Sequence, residues 1–412
     1  MKVWILQTGE PLQIDSNNYR PMRVINLSNT LIDHGHNVTI WSSNFDHFTK
    51  KHRFNVSKTI NYSDQLQIRL IDSLGYDSHF GIRRIIDHIQ LAINLRKMLK
   101  DEDPPDVAVL GYPPIEVSWI FAKWLTNRKV PFLVDVKDKW PDIFIKAFPL
   151  WSQRWIKPVF MPFQFMFKQI LYKASGILAP SKAFLDWCIE NRGSKENIYD
   201  CVAPLTSPDS TSKWQDIKAA ENWLESNEIY EGHNLRISFI GSLNHNYEFD
   251  TIINVVSQLP IELVIAGNGP ELVILRDKYS TLPNVKFIGW IDLDQANALI
   301  NRSHILLLPY KKAEDFDMNI TNKFYDAIRN SKPVLSSQGG VVRELIETHK
   351  IGVNYESDKP LNLLTDLKIL INEKEQLLMF GKNSRKLYLE SFDFNSVYGN
   401  LVRLLEVLCS KK

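Results

Sequence analysis

Runs of apolar residues about the length of a β-strand alternate with runs of helical period along nearly the whole chain. That alternation restricts the fold more than any other feature. In the first half, strands are expected at 3–6, 37–41, 67–71, 107–110, 132–134, 176–179 and 198–201, and helices at 22–33, 82–99, 115–125 and 183–191. The strands are almost continuously apolar and the βα connections short, which indicates parallel sheets covered by helices on both faces. From 204 to 234 Pro, Ser, Thr, Asp and Glu dominate, a composition read as an inter-domain linker. The pattern then restarts: strands at 237–240, 262–266, 285–288 and 305–308, helices at 250–258, 271–279 and 292–301. The expected fold class is therefore α/β, with two Rossmann-like βα domains: 1–203, then 235–390 after the linker. Residues 391–412 are read as a C-terminal helix that can cross back to the first domain. Two such domains in succession imply a cleft, and open α/β sheets bind ligands outside the carboxyl ends of their strands.

A chain of 412 residues exceeds one ordinary core, in agreement with two domains. The formal net charge of +2 argues against a dedicated nucleic-acid binder. Cys188, Cys201 and Cys409 form no CxxC or Cys/His cluster, so reduced thiols of a cytosolic protein are expected. The opening MKVWILQTGEP reads as a first strand and not as a signal peptide. No window offers the roughly 18 uncharged apolar residues of a spanning helix.

The segment 320–340, ITNKFYDAIRNSKPVLSSQGG, carries the sharpest chemical signal. A polar turn opens a helix at Asn322, and Lys323 sits in the first turn of that helix, the end of the macrodipole where acids are normally preferred. A lysine beside free backbone N–H groups suits an anion such as phosphate. Gly339-Gly340 follows the next apolar run, at a strand's carboxyl end. Gly241-Ser242 follows the first strand of the second domain, where a glycine permits close backbone approach or simply makes a tight turn. Gly267-Asn268-Gly269 stands between a strand and a helix, but lacks the third glycine of a dinucleotide fingerprint. The four features together are far more specific than any one of them.

In order and spacing, FIGSLNHNYEFDTI, IELVIAGNGPE, VKFIGWID, ILLLPY and NKFYDAIRNSKPVLSSQGGVVRELI resemble a family 4 retaining glycosyltransferase of GT-B architecture. HGHNVTIWSS resembles that family's second strand. DKWPD, from Asp138 to Asp142, resembles an Asp-x-Trp-Pro-acid motif of the branch that builds bacterial surface polysaccharides such as O-antigen, lipopolysaccharide and capsule. The resemblance implies that Asp326 grips the nucleotide ribose, as the second acid of the family's Glu-x(7)-Glu pair. The first acid falls on Met318 and is absent, with Asp317 and Glu314 near enough to substitute. The family's diphosphate-holding Arg and Lys fall on Ser242 and Tyr247, neither cationic, and Lys323 is the expected replacement. The donor site so implied comprises Gly241, Ser242, Gly267, Asn268, Gly269, Asn322, Lys323, Asp326, Gly339 and Gly340. The chemistry implied is retaining transfer by front-face attack, with Lys323, Asp326 and Asp138 as catalytic candidates. Asp292-Leu293-Asp294 and Asp315-Phe316-Asp317 are read as coincidental in this architecture. No metal or other cofactor is expected; the nucleotide-sugar is a substrate.

Acceptor candidates stand at strand ends of the first domain: Gly9, Glu10, Arg20, Arg23, Tyr112, Asp138, Trp140 and Asp142. Residues 143–173 contain no acid, five cations (Lys146, Arg154, Lys157, Lys168, Lys173) and many aromatics, Trp151 and Trp155 among them. Basic charge with aromatic bulk marks an interfacial segment on an anionic membrane; a core helix pair is the plainer reading. Pro158 and Pro162 argue against one long helix. Lys146, Trp151, Arg154, Trp155 and Lys157 are the membrane candidates. The resulting expectation is a glycosyltransferase, peripheral on the cytoplasmic face of the inner membrane. It moves a sugar from a nucleotide-diphosphate donor to a polyprenyl-diphosphate-linked glycan. A GT-B sugar-nucleotide epimerase or phosphorylase is the alternative.

Overall fold

The structure is a computed structural model. It describes residues 1–15, 19–77, 81–146, 148–209, 217–232 and 234–411, without the side chains of residues 143, 146, 150 and 217. The chain forms two compact units: Met1–Asn17, Pro21–Pro204 and Ser396–Lys412 in one, Asn18–Arg20 and Leu205–Asn395 in the other. Both are Rossmann-like α/β domains.

The first unit runs β1 (Lys2–Leu6), α1 (Arg23–Asp33), β2 (Asn37–Ser43), β3 (Phe45–Asp46), β4 (Lys51–His52), β5 (Lys58–Asn61), β6 (Leu66–Ile71), α2 (Ile82–Met98) and β7 (Val107–Tyr112). It continues through α3 (Ile115–Asn127), β8 (Phe132–Val136), α4 (Asp142–Lys146), α5 (Leu150–Lys173), β9 (Gly176–Ala179), α6 (Lys182–Arg192) and β10 (Cys201–Val202). Its sheet has the order β10-β9-β8-β7-β1-β2-β6-β5. All neighbours pair in parallel except β5, which runs antiparallel to β6. The central strands β7 and β8 are buried at every position, as a doubly covered sheet requires. The short sequence of β5, KTIN, is mostly exposed and closes the edge with a polar strand. Neither β5 nor the β3–β4 hairpin was legible as apolar periodicity, and the last strand lies at Cys201–Val202, later than the expected 198–201.

The second unit begins with α7 (Ile217–Ser226), inside the segment read as linker, and continues β11 (Leu235–Ile240), α8 (Asp250–Val256), β12 (Ile261–Ala266), α9 (Glu271–Tyr279), β13 (Val285–Gly289) and α10 (Leu293–Arg302). Then come β14 (Ile305–Leu308), α11 (Glu314–Asp317), α12 (Asn322–Arg329), β15 (Val334–Ser336), α13 (Gly340–His349), β16 (Gly352–Asn354), α14 (Pro360–Asn372) and α15 (Lys374–Leu387). The parallel order β13-β12-β11-β14-β15-β16 reverses direction between β11 and β14, which makes their carboxyl ends the crevice where this topology binds ligands. The C-terminal helix α16 (Phe394–Ser410) reaches the first unit from Ser396 onward. There Asn26 Nδ2 donates to Tyr398 Oη at 3.4 Å, and His36 Nε2 lies 3.0 Å from Glu406.

One expectation fails outright: α5 is a single 24-residue helix with Pro158 and Pro162 inside it. Each proline removes a donor to the carbonyl four residues back, that is, to Arg154 and to Pro158. Arg154, Pro158 and Pro162 all lie on the exposed side, so the released carbonyls are not buried. The opposite side is held in the core through Phe167, Ile170 and Leu171. No described helix is long and apolar enough to cross a membrane.

Candidate functional site

In the second unit the loops after β11 and β12 stack backbone on backbone. Gly241, Gly267 and Gly269 adopt φ of +153°, +144° and +154°. A Cβ on Gly267 would lie 1.8 Å from the Gly241 carbonyl oxygen, and one on Gly269 would lie 2.1 Å from that of Leu243. Only glycine fits such contacts.

Lys323, in the first turn of α12, runs beneath this stack. A Cβ on Gly241 would come within 2.5 Å of its Cε and Nζ. The ammonium donates to Tyr247 Oη at 2.8 Å and lies 5.2, 5.0 and 5.9 Å from the ring centres of Phe239, Tyr247 and Tyr310. Burial alone would lower its pKa. Tyr310, Tyr247 and, after them, Asp326 outweigh that and hold it above the ordinary lysine range. Burial also pushes Tyr310 up to about 12. Among the described residues no carboxylate forms an ion pair with Lys323. A half-buried cation held by three aromatic rings and a hydroxyl is thus left to meet an anion from outside. Tyr247, the position on which the resemblance places a family cation, is thus the residue whose hydroxyl meets the Lys323 ammonium. The aromatic cage itself had no signal in residue spacing, since β11 and the loops after β11 and β14 supply it.

Asp326 lies one turn further along α12 and accepts from Arg20 Nε and Nη2 at 3.3 and 3.2 Å, with Arg329 Nη2 at 3.6 Å. Its side chain keeps 21% of its surface exposed. Arg20, expected on the acceptor side, belongs instead to this carboxylate. Asp317, near the empty slot at Met318, packs against the glycine pair that starts α13. A Cβ on Gly339 would meet its Oδ1 at 2.6 Å, and one on Gly340 (φ +54°) its carbonyl oxygen at 1.9 Å. The nearby Asn319 Oδ1 and Asn322 Oδ1 are buried acceptors without a hydrogen-bond partner among the described residues, which suits a hydroxyl-bearing ligand. Asn268 Oδ1 accepts from Gly269 N at 2.8 Å, and Ser242 is exposed beside Gly241. Asp292 is committed elsewhere: its Oδ1 accepts from Gln295 N at 2.9 Å in the capping box of α10.

In the first unit several acceptor candidates prove to be struts. Glu10 accepts from Gln7 Nε2 at 2.9 Å and Val24 N at 2.8 Å and pairs with Lys137. Lys137 also reaches Asp135 at 3.2 Å, and Arg23 Nε donates to Asp135 at 3.3 Å. Burial would lower the Lys137 pKa, but Asp135 and Glu10 together raise it. Arg23 also donates to the Ala203 carbonyl and lies 5.4 Å from the Tyr398 ring. Charges at neighbouring strand ends have paired with one another, so Glu10 and Arg23 are buried. Tyr112 is fully buried, its hydroxyl donating to the Trp140 carbonyl at 2.7 Å and its ring 4.9 Å from Phe167. Trp140 is 8% exposed, edge-on to Phe144 at 4.5 Å with the Arg84 guanidinium 4.9 Å away. These four are packed behind the surface an acceptor would touch. Gly9 and Asp138 are exposed, and Asp142 is half-buried and accepts from Gln164 Nε2 at 3.3 Å.

The membrane candidates Trp151 and Trp155 on α5 are 79% and 78% exposed, and Arg154 and Lys157 are exposed with them. The side chain of Lys146 lies outside the described atoms. A second apolar stripe was missed: Ile82, Ile86, Ile89 and Ile93 on α2 are all exposed, at i, i+4, i+7 and i+11. Their alternation with Arg and Gln concealed them as core positions.

Residues 220–387 match the model "Glycosyl transferases group 1", and residues 22–199 match "Glycosyltransferase Family 4". Among solved structures, sucrose-phosphate synthase (tll1590) from Thermosynechococcus elongatus is similar at 13% identity with TM-score 0.73, over 100% of both chains. Anabaena Alr3699/HepE, solved in complex with UDP-glucose, is similar at 13% identity and TM-score 0.67, again over 100% of both chains. WaaG, a glycosyltransferase involved in lipopolysaccharide biosynthesis, shares 14% identity at TM-score 0.64, over 98% of this chain and 99% of its own. No curated protein sequence matches the chain. With each half matched by a glycosyltransferase model and both units Rossmann-like, the chain is a GT-B-fold glycosyltransferase related to family 4.

Proposed function

We propose that this protein is a retaining glycosyltransferase that needs no metal. It would move a sugar from a nucleotide-diphosphate donor to a polyprenyl-diphosphate-linked saccharide, in the synthesis of a bacterial surface polysaccharide such as O-antigen or capsule. The observation that carries the reading is the Lys323 ammonium, caged by Phe239, Tyr247 and Tyr310 beneath Gly241 and in no ion pair with a carboxylate among the described residues. The donor diphosphate supplies the missing anion. Backbone N–H groups at the start of α12 and α13 add to the same field.

As the bond between the anomeric carbon and the diphosphate breaks, negative charge grows on the departing oxygen, where Lys323 and those N–H groups stabilise it. The acceptor hydroxyl attacks the same face of the sugar and gives its proton to that oxygen, so configuration is retained. Asp326 holds the ribose, and Asp317 with Asn319 and Asn322 orients the donor sugar. Asp138, exposed after β8, positions the acceptor hydroxyl.

The protein works on the cytoplasmic face of the inner membrane, through the aromatic face of α5 and the isoleucine stripe of α2. Exposed Arg83, Arg96, Lys97, Lys123, Arg154, Lys157 and Lys168 accompany these side chains, whereas α2, α3 and α5 carry no exposed acid. An anionic bilayer complements such a surface; a second copy of it would set cation against cation.

The test supplies nucleoside-diphosphate sugars and vesicles carrying a polyprenyl-diphosphate-linked acceptor, then determines the anomeric configuration of the product by NMR. Transfer with retention is expected. Inversion would overturn the mechanism, and epimerisation of the free donor without transfer would overturn the reaction class.

A further inference from the structure

A cleft of about 730 Å³ opens at the amino ends of the second sheet, a size typical of small-molecule sites. Leu235 begins β11, Ser303 and His304 precede β14, and Lys332 and Pro333 precede β15; all five line it. The glycine loops described above stand at the opposite, carboxyl ends of β11 and β12, so the cleft is separate from the donor site. One face of α15 forms a wall, with Lys374, Leu377, Gly381, Lys382 and Arg385 at helical spacing, and the last turn of α14 adds Leu370 and Ile371. A Cβ on Gly381 would lie 2.6 Å from the Ser331 carbonyl oxygen, so glycine lets α15 meet that turn where both line the cleft.

Among the described residues the lining holds five basic side chains, His304, Lys332, Lys374, Lys382 and Arg385, and no acid. Arg385 is committed, donating to the Arg329 carbonyl at 2.7 Å and pairing with Asp209. The half-buried Lys332 donates to the carbonyls of Asn301 and Ser303 at 2.9 and 2.8 Å, which leaves one of its three ammonium protons for a ligand. His304 Nδ1 accepts from Arg236 N at 3.0 Å, which puts the ring proton on Nε2 as a further donor. Lys374 and Lys382 are exposed and form no ion pair among the described residues. Burial presses Lys332 down to about 8. Burial lowers His304 too, and the charges of Arg236, Lys332 and Lys374 lower it further, so those cations act together on one place. A second cleft shares Ser303, His304 and Lys332 but is also lined by Glu221 and Glu231, so an anion favours the first.

We infer that this cleft binds a small amphipathic phosphate ester, its phosphate beside His304, Lys332 and Lys374 and its apolar body along Leu370, Ile371 and Leu377. A phosphate offers three strong acceptor oxygens, which suits donors that arrive from a strand end, a turn and a helix. The apolar wall decides against a bare anion. Leu370 belongs to the core and Ile371 and Leu377 pack against it, so the wall is fixed before a ligand arrives. The site stands apart from the reaction proposed above and does not depend on it.

Calorimetric titration of the full chain with octyl phosphate, with octyl glucoside and with inorganic phosphate tests the inference. Octyl phosphate is expected to bind at least tenfold more tightly than either of the others, because only it carries both the charge and the apolar chain. Lys332→Met and Lys374→Gln together should weaken octyl phosphate at least tenfold, and Lys374→Gln alone at least threefold. Lys374 is exposed, so its variant keeps the test valid should loss of the Lys332 hydrogen bonds impair folding. Lys323→Met, in the donor site, and Trp151→Ser with Trp155→Ser, in the first unit, should bind octyl phosphate as wild type does. No binding by wild type, equal affinity for octyl glucoside or inorganic phosphate, or an unaltered affinity in Lys374→Gln overturns the site. Loss of binding in Lys323→Met or in the tryptophan variant overturns it as well, by placing the ligand elsewhere.

Discussion

Replacing Lys323 with methionine separates a structural cation from one that acts on phosphate. Methionine keeps most of the length and apolar volume, so the cage of Phe239, Tyr247 and Tyr310 stays filled. The loss comprises one hydrogen bond to Tyr247 and three ring contacts at 5.0–5.9 Å. The hydrogen bond contributes about 1 kcal/mol and each cation–π contact about 0.5–1 kcal/mol. Relief of the cost of desolvating the ammonium offsets much of this. The net change in stability should therefore stay within about 2 kcal/mol, and a thermal or denaturant melt will show a folded protein. Activity should respond differently. Removing one preorganised donor from a developing negative charge costs about 2.7–4 kcal/mol, a fall of ~10²–10³ in kcat. Single-turnover release of nucleoside diphosphate from saturating donor reads that step directly. A folded Lys323→Met variant with kcat within about threefold of wild type, less than 1 kcal/mol of barrier, would refute the phosphate role.

Three further outcomes follow from the same geometry. Gly241→Ala places a Cβ 2.5 Å from Lys323 Cε and Nζ at φ +153°, so activity should fall nearly as far as in Lys323→Met, with about 1–3 kcal/mol of strain; in a double-mutant cycle the two changes should be markedly non-additive, and strict additivity would break the link between them. Changing Trp151 and Trp155, or Ile86 and Ile89, to serine should release the protein from anionic vesicles in a sedimentation assay, each lost side chain weakening binding by about 1–2 kcal/mol; undiminished binding would count against the membrane face. Glu116, 3.8 Å from His88 Nδ1, has its pKa raised from 4.5 to about 7 by burial, so between those values the unfolded chain releases a proton the folded one keeps. This carboxyl's contribution to stability is therefore lost as pH rises through that window, by about 3 kcal/mol, while His88, pressed by burial down to about 3, contributes in the opposite sense below its ordinary 6.5; Glu116→Gln should raise the denaturant midpoint at pH 8 relative to pH 5 when compared with wild type, and an unchanged difference between the two pH values would contradict this.

The two βα domains were legible because parallel strands buried on both faces leave continuous apolar runs, as at β7, β8 and β12. Lys323 was legible because a lysine in a helix's first turn contradicts a local rule. The rest was hidden for physical reasons. A strand end places a residue near a site without saying which way its side chain turns, and Glu10, Arg23 and Tyr112 turned inward to partners far off in sequence. The prolines of α5 suggested a break, but their orphaned carbonyls lie on the exposed side.

Thermal shift of the purified chain against UDP-, GDP- and dTDP-sugars, with CMP-sugars as the monophosphate control, tests the central claim most directly. Ligand at about 100 times its Kd adds about 2.7 kcal/mol to the folded state. At least one diphosphate sugar should raise the melting temperature of wild type and fail to do so in Lys323→Met, while CMP-sugars leave both unchanged. Stabilisation of both proteins alike, or of neither by any diphosphate sugar, would contradict a donor site built around Lys323.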